Sequence, residues 1–111
     1  MAVLSVVTIC YNERAALERT VNSVREQTHE EIEYLVVDGG SDDGTVEWLN
    51  QHSEYFHQVV SEPDEGRYHA MNKGIERATG EYVLFLNAGD QFRSPSAVES
   101  LMNPVSGQSE S

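Results

Sequence analysis

Residues 5–13, SVVTICYNE, begin as an apolar, β-branched run and end in polar residues. The wider run at residues 3–9 is apolar on both alternations, which is typical of a strand covered on both faces of a sheet. Similar apolar runs recur at residues 32–37, 56–60 and 82–86. Since helical patterns lie between these runs, the sequence predicts an α/β fold with three layers and a mainly parallel sheet.

Four helices are predicted between and after the strands. Three have apolar stripes at three- or four-residue spacing, namely Leu17, Val21 and Val24; Val46 and Leu49; and Met71, Ile75 and Ala78. The fourth is indicated by Ser94-Pro95, a capping residue followed by proline at the first helical position. Residues 1–102 are therefore expected to form the ordered portion, and the polar segment 103–111 is expected to fray.

The composition restricts the partners and the compartment. Seven basic and 19 acidic residues give a formal charge of −12, which excludes nucleic acid as a partner because phosphate backbones would be repelled. A nucleotide diphosphate remains compatible when a divalent cation bridges it to carboxylates. The single Cys10 excludes an internal disulfide and is predicted to be a buried core residue. Without a signal peptide or a long apolar run, a reducing cytoplasm is expected.

The functional site is expected where the strands end, because ligands of open parallel sheets bind beyond the carboxyl ends of the strands. The corresponding segments, residues 8–13, 38–45, 61–69 and 87–91, are all rich in Asp, Asn, Gly or Glu. None contains a GxGxxG or GxxxxGK[ST] motif. This absence argues against a dinucleotide-binding Rossmann site and against a P-loop.

Three segments resemble family-two glycosyltransferases, notably bacterial enzymes that build cell-surface polysaccharides. They are SVVTICYNE (5–13), VVDGGSDDGT (36–45) and SEPDEGRYHAMNKGIERATGEYVLFLNAGD (61–90). The resemblance implies the nucleotide-sugar-binding portion of a GT-A fold, with the strand order third, second, first, fourth. The relatives more often have GIYDAMNKGI where this chain has GRYHAMNKGI, so Arg67 and His69 alter the inferred contacts.

The resemblance also implies where the nucleotide binds. It places the base against Thr8, Tyr11, Asn12 and Glu13, although Asn12 and Glu13 also suit helix initiation. Asp38 would accept a hydrogen bond from the N3–H group of a pyrimidine, next to a Gly39-Gly40 pair that permits close approach. The alternative is that Asp38 bonds to the amides of the turn that follows it. Separately, at least one of Asp42 and Asp43 is expected to cap the next helix.

Phosphate and metal contacts follow from the later motifs. The resemblance implies Arg67 and Lys73 as phosphate neighbours, with ordinary surface charge as the alternative. The segment Asn87-Ala88-Gly89-Asp90 stands where the family has its Asp-x-Asp signature, which makes Asn87 and Gly89 nucleotide-binding candidates. Asp90 would hold Mg²⁺ or Mn²⁺ together with substrate phosphates and water. The alternative is a Gly-Asp turn.

The implied activity is inverting sugar transfer from a nucleotide-diphospho-sugar, with UDP favoured, to a glycan or lipid-linked acceptor. The complete enzyme would act in the cytoplasm or at the inner face of the membrane. The catalytic base is unknown, since only Glu99 and Glu110 follow Asp90 as carboxylates. The chain is therefore expected to be an inactive fragment, or alternatively a non-catalytic nucleotide-sugar-binding domain. A nucleotidyltransferase is disfavoured because no glycine-rich basic loop follows the first strand.

Residues 82–86 are expected to form an edge strand under the implied strand order. The segment YVLFL is apolar on both alternations and has no lysine, proline or other edge-guarding residue. We therefore predict a homo-oligomer in which this strand pairs with its counterpart in a second copy.

Overall fold

The protein is described by a computed structural model over residues 3–102. Its elements are β1 (Leu4–Cys10), α1 (Arg14–Arg25), β2 (Ile32–Asp38), α2 (Thr45–Gln51), a 3₁₀ turn (Ser53–Tyr55), β3 (Gln58–Ser61), α3 (Arg67–Arg77), β4 (Tyr82–Asn87) and α4 (Ala97–Met102). The strands form one sheet in the order β3-β2-β1-β4, and each neighbouring pair is parallel. The predicted fold class and strand order are confirmed. The segment predicted to fray, residues 103–111, lies outside the described residues.

The sheet is covered on both faces, which explains the uninterrupted apolar runs. Strand β1 lies at its centre, with Val7 opposite Leu35 of β2 and Phe85 of β4. These three side chains pack on the face that α3 covers. Val6 and its neighbours on the other face pack against α1, α2 and α4. In the part of the chain that the structure describes, no helix is long and apolar enough to cross a membrane.

The helix α1 buries the predicted residues Leu17, Val21 and Val24. In α2, Leu49 is buried as predicted, but Trp48 is the second large buried side chain in place of Val46. Helix α1 therefore follows the predicted apolar spacing, whereas α2 follows it only at Leu49.

The apolar stripe predicted for α3 was wrong. The helix buries Ala70, Lys73 and Gly74 in place of Met71, Ile75 and Ala78, and Ile75 is 51% exposed. A Cβ atom on Gly74 would lie only 2.7 Å from Cγ1 of Val7. At Gly74 the helix thus approaches the sheet so closely that a larger side chain there would clash with Val7.

Candidate functional site

An open cleft of about 650 Å³ lies at the carboxyl ends of the strands, where the sequence predicted the site. Its lining comes from the exits of all four strands and from the start of α3. Four of the predicted site residues contribute to it, namely Tyr11, Glu13, Arg67 and Asn87. The volume falls in the range of about 300–1,000 Å³ that is typical of small-molecule sites.

Two of the residues that follow β1 line the cleft. Tyr11, which is 58% exposed, and Glu13 line it. Asn12 between them accepts a hydrogen bond at its Oδ1 from the amide of Asp42, at 2.8 Å. Thr8 is fully buried, and its hydroxyl shares a 2.8 Å hydrogen bond with that of Tyr34. The strand therefore encloses this side chain, and the implied base contact by Thr8 stays a prediction.

One carboxylate caps both helices that follow β1 and β2. The Oδ2 atom of Asp43 accepts from the amide of Arg14 at 3.1 Å, at the start of α1. Its Oδ1 atom accepts from the amide of Thr45 at 3.1 Å, at the start of α2. The hydrogen bond from the Thr45 hydroxyl also holds the pKa of Asp43 below its usual range. The predicted capping role is thus confirmed for Asp43, and Asn12 does not initiate α1 in this way.

Asp38 is fully buried at the end of β2, where its carboxylate is bonded to the turn that follows. Its oxygens accept hydrogen bonds from the amides of Gly40 and Ser41 at 3.1 and 2.9 Å. They also accept from the hydroxyls of Ser41 and Ser61 at 2.5 and 2.8 Å. Burial raises the pKa of Asp38, but these hydrogen bonds outweigh it and hold the pKa below its usual range. These bonds give Asp38 the turn-forming role that was the alternative, and its contact with a base stays a prediction.

The glycine pair after Asp38 serves the packing of the neighbouring loop. Gly40 has a backbone φ of +91°, and a Cβ atom on it would meet the backbone nitrogen of Pro63 at 3.4 Å. A Cβ atom on Gly39 would meet Oδ2 of Asp64 at 3.0 Å and Cδ1 of Tyr11 at 3.3 Å. Gly39 and Asp64 both line the cleft. The missing side chain at Gly39 therefore allows a carboxylate and an aromatic ring to meet at the cleft wall.

Sequence reasoning missed Asp64. This side chain also accepts a 3.1 Å hydrogen bond at its Oδ1 from the amide of Gly66, so it closes a short turn before α3. The Asp-Glu-Gly pattern indicates such a turn. Nothing in that pattern indicates that the second oxygen reaches across Gly39, since this contact joins residues 25 positions apart.

The two implied phosphate neighbours have different environments. Arg67 is exposed and lines the cleft at the first residue of α3. Lys73 is only 6% exposed. Its ammonium lies 3.0 Å from Oε2 of Glu62 and donates to the carbonyl of Pro63 at 3.1 Å. The described contacts of Lys73 are therefore internal and fix the loop after β3, while its implied phosphate contact stays a prediction.

The segment after β4 forms a turn. The amide of Asn87 donates to Oδ2 of Asp90, and the amide of Asp90 donates to the Asn87 carbonyl, both at 2.9 Å. Gly89 has a φ of +105° and donates its amide to the Thr20 hydroxyl at 2.8 Å, so it supports the turn and does not line the cleft. The carboxylate of Asp90 is exposed, and its Oδ1 has no hydrogen-bond partner within residues 3–102.

A divalent cation fits this exposed carboxylate only with help from a ligand. Among the described residues, no group of three or more His, Cys, Asp or Glu side chains is placed to hold a metal ion. Hard cations such as Mg²⁺ are commonly bound by one or two carboxylates together with substrate phosphates and water. Asp90 supplies one such carboxylate oxygen, although Asp90 itself is not among the residues that line the cleft.

Cys10 lies at the floor of the cleft and is 2% exposed, as the sequence predicted for a core residue. Its thiol donates to Oδ1 of Asp38 at 3.4 Å. Burial, and then the charge of Asp38, raises the pKa of the thiol far above its usual range. Because the thiolate is the nucleophilic form, Cys10 is unsuited to covalent catalysis.

The cleft thus combines an aromatic ring, carboxylates and one guanidinium group. Such a set can stack on a flat base, accept hydrogen bonds from it and pair with phosphate. The model of glycosyl transferase family 2 matches residues 5–109 of the chain. The chain belongs to this family.

Two relatives show how much of a longer protein the match covers. An uncharacterized glycosyltransferase of Mycobacterium tuberculosis is 43% identical over 106 residues, which are 95% of this chain and 40% of the relative. TuaG of Bacillus subtilis, a glycosyltransferase named for teichuronic acid biosynthesis, is 42% identical over 93 residues, covering 81% of this chain and 37% of TuaG. The chain therefore spans about 40% of the length of these relatives.

Solved structures share the fold. The mannosyltransferase PcManGT of Pyrobaculum calidifontis, in complex with GDP-Man and Mn²⁺, is 28% identical with a TM-score of 0.80. The match covers 94% of this chain and 31% of PcManGT. Residues 1–349 of S. aureus TarS, in complex with UDP-GlcNAc, are 26% identical with a TM-score of 0.78, covering 97% of this chain and 31% of that one.

Proposed function

We propose that the chain binds a nucleotide-diphospho-sugar, with a UDP-sugar favoured, as the donor-binding portion of an inverting, metal-dependent glycosyltransferase. The observation that carries the proposal is the meeting of Tyr11, Asp64 and Arg67 in one cleft at the carboxyl ends of the strands. The nucleotide-sugars bound by PcManGT and TarS support the choice of donor class.

The base is recognised at the wall that Tyr11 and Asp64 form. The Tyr11 ring is 58% exposed and offers a face for stacking. The Oδ2 atom of Asp64 and this ring both lie close to the point that a Cβ atom on Gly39 would occupy. A carboxylate oxygen there accepts a hydrogen bond from the N3–H group of uracil. Asp64 thus offers the cleft a carboxylate for the kind of base contact that the resemblance implies for Asp38.

The diphosphate is bound at the start of α3. Arg67 is the first residue of this helix and the only basic side chain in the cleft lining of the described residues. The helix N-terminus adds free amides and a partial positive charge. On a protein with a formal charge of −12, this local cation is needed to offset repulsion of the phosphates.

Asp90 would hold Mg²⁺ or Mn²⁺ through its free oxygen, with Asn87 as a neutral neighbour in the cleft. A divalent ion at this position supplies charge neutralisation for the departing nucleoside diphosphate. Asn87 lines the cleft and keeps Asp90 oriented through its amide. The presence of Mn²⁺ in the PcManGT complex supports this assignment.

Transfer itself requires a base that deprotonates an acceptor hydroxyl, which we propose belongs to a glycan or lipid-linked acceptor of the cell envelope. Glu99 does not serve, because its Oε1 accepts a 2.7 Å hydrogen bond from Thr28, beyond the C-terminal end of α1. Glu110 lies outside the described residues. We assign no described residue as the base, so donor binding is the step this chain performs.

Calorimetric titration with UDP, GDP and UDP-GlcNAc in the presence of Mn²⁺, Mg²⁺ or EDTA tests the proposal. We expect UDP to bind with metal and to bind less tightly to Arg67→Gln. The matched control is Arg19→Gln, since Arg19 is an exposed arginine on α1 away from the cleft lining. The proposal is wrong if no nucleotide binds, or if the two variants bind equally well.

A further inference from the structure

The loops that leave β1 and β2 are joined by three hydrogen bonds. The amide of Asn12 donates to the Ser41 hydroxyl at 2.7 Å. The amide of Asp42 donates to Oδ1 of Asn12 at 2.8 Å. In the third bond, the amide of Arg14 donates to Oδ2 of Asp43. We call Asn12, Ser41 and Asp43, which make these bonds, the loop clamp.

The loop clamp depends on an unusual backbone conformation. Asn12 has a φ of +51°, and it is the only residue other than glycine with a positive φ in the described chain. Asparagine tolerates this region better than most residues do. The conformation turns the Asn12 side chain toward the β2 loop while Tyr11 and Glu13 on either side line the cleft. A strained backbone conformation of this kind persists only where neighbouring contacts stabilise it, and here the hydrogen bonds of the loop clamp do so.

The clamp is anchored on rigid parts of the fold at both ends. The Ser41 hydroxyl that accepts from Asn12 donates to the buried carboxylate of Asp38 at 2.5 Å. Asp43 also caps α2 through Thr45, so its position is fixed by two helix starts. The three bonds therefore connect the loop residues to a strand end and to the starts of two helices.

The wall of the cleft is sensitive to the relative position of these two loops. Tyr11 belongs to the β1 loop and Gly39 to the β2 loop, and the Tyr11 ring lies 3.3 Å from the point that a Cβ atom on Gly39 would occupy. Asp64 approaches the same point to 3.0 Å. A small shift of one loop against the other therefore changes the gap in which a base would lie.

We propose that the loop clamp positions Tyr11 against Gly39 and Asp64, and so holds the cleft in the conformation that binds the nucleotide. The inference rests on the proposed function. Asn12, Ser41 and Asp43 are positioning residues, since none of them lines the cleft. When only a fraction of the protein has the competent cleft, the apparent dissociation constant rises in inverse proportion to that fraction. The loop clamp acts by keeping most of the protein in the conformation that can bind the nucleotide.

A pair of substitutions at Asn12 separates this role from general stability. Asn12→Gly allows the positive φ but removes the acceptor for the Asp42 amide. Asn12→Asp keeps both the acceptor and the tolerance for positive φ. In titrations with UDP and Mn²⁺, we expect Asn12→Gly to bind about 5- to 30-fold more weakly, the effect of losing one or two hydrogen bonds of the clamp. Asn12→Asp should restore most of the affinity.

Two further measurements make the result decisive. Urea unfolding should show that both variants are fully folded at the titration temperature, so that a difference in affinity reports on the cleft. Hydrogen exchange should be faster at the amides of Asn12 and Asp42 in Asn12→Gly, with the β1 and β2 amides unchanged. Equal UDP affinity of the folded Asn12→Gly, Asn12→Asp and wild-type proteins would overturn the clamp alone. Failure of the wild type to bind any nucleotide would overturn the proposed function and the clamp with it.

Discussion

The Oδ2 atom of Asp64 lies 3.0 Å from the point that a Cβ atom on Gly39 would occupy. We therefore expect Gly39→Ala to push the carboxylate and the Tyr11 ring away from each other. Gly39 has no positive φ, so the substitution is not strained by the backbone. The fold should survive, and UDP affinity measured by calorimetry should fall by about 1 kcal/mol, the scale of one hydrogen bond.

A double-mutant cycle with Asp64→Ala controls this prediction. Once the carboxylate is absent, alanine at position 39 meets less resistance and should cost little further affinity. Residues in contact usually show such non-additive effects. Strictly additive losses of affinity would contradict the contact between Gly39 and Asp64 as the cause.

Asp38→Asn is expected to destabilise the fold. The carboxamide nitrogen cannot accept the hydrogen bonds that the buried carboxylate receives from Ser41 and Ser61, so these part-buried hydrogen bonds are lost. We expect the free energy of unfolding in urea to fall by about 2–4 kcal/mol. Asp42→Asn is the control, because Asp42 is exposed, and it should change stability by less than about 0.5 kcal/mol.

The same carboxylate predicts a pH dependence. Since the pKa of Asp38 is held below its usual range in the folded protein, its contribution to stability is complete above the unfolded pKa of about 3.9. It is lost as the pH falls through the lower folded value. Urea unfolding between pH 6 and pH 3, chosen as a range around that value, should show a smaller loss of stability in Asp38→Asn than in the wild type. Parallel curves for the two proteins would refute the assignment.

Asp90→Asn should remove the metal dependence of UDP binding. The carboxamide keeps an acceptor for the Asn87 amide, so the turn is retained while the charge that attracts the cation is lost. In wild-type protein, Mn²⁺ or Mg²⁺ should strengthen UDP binding relative to EDTA, and in the variant this gain should vanish. Glu47→Gln, at an exposed carboxylate on α2, should leave the gain intact. If Mn²⁺ or Mg²⁺ still strengthens UDP binding by Asp90→Asn, the cation binds at another position.

Self-association should occur through β4. This strand is an edge of the described sheet, and Tyr82 and Val83 are 59% and 38% exposed. Val83→Lys places a charge of the kind that protects natural edges, so it should shift the protein toward monomer in analytical ultracentrifugation. Val59→Lys is a matched control on the opposite edge strand β3, since Val59 is also 38% exposed. A wild type that stays monomeric at high concentration would contradict the prediction.

The isolated chain is expected to bind donor without transferring sugar. The described carboxylates that line the cleft, Glu13 and Asp64, lie on its base-binding side, and Glu99 is engaged by Thr28. Release of UDP from UDP-sugars, followed with glycan and lipid-linked acceptors, should not exceed the rate without protein. Transfer to any acceptor would disprove this and also the alternative of a non-catalytic binding domain.

The fold was largely predictable because the apolar runs and stripes report directly on burial. The stripe of α3 was misread for a physical reason. Hydrophobic spacing detects large apolar side chains, whereas the close approach of α3 to Val7 leaves room only for Ala70 and Gly74. Lys73 shares that buried face because Glu62 and the Pro63 carbonyl satisfy its charge, a pairing that no periodicity contains.

The site was predictable in location but less so in its residues. The rule for parallel sheets placed it at the strand ends, and Tyr11, Glu13, Arg67 and Asn87 line the cleft there. Thr8 and Asp38 are the right residue types in the right segment, yet both are fully buried. A side chain at a strand end can face the cleft or bond to the turn that follows it. For Asp38, the outcome depends partly on Ser61, which donates a hydrogen bond to it from 23 residues away in the sequence.

The buried thiol of Cys10 has a practical consequence for spectroscopy. Alkylating reagents attack thiolates, and the burial that raises the pKa of this thiol also shields it from collision with the reagent. The native cysteine can therefore be left in place when a fluorophore or spin label is introduced. Tyr68 on α3 is 80% exposed, so a cysteine substituted there is accessible to the reagent. It would carry the only label on the chain and report on donor binding from beside the cleft.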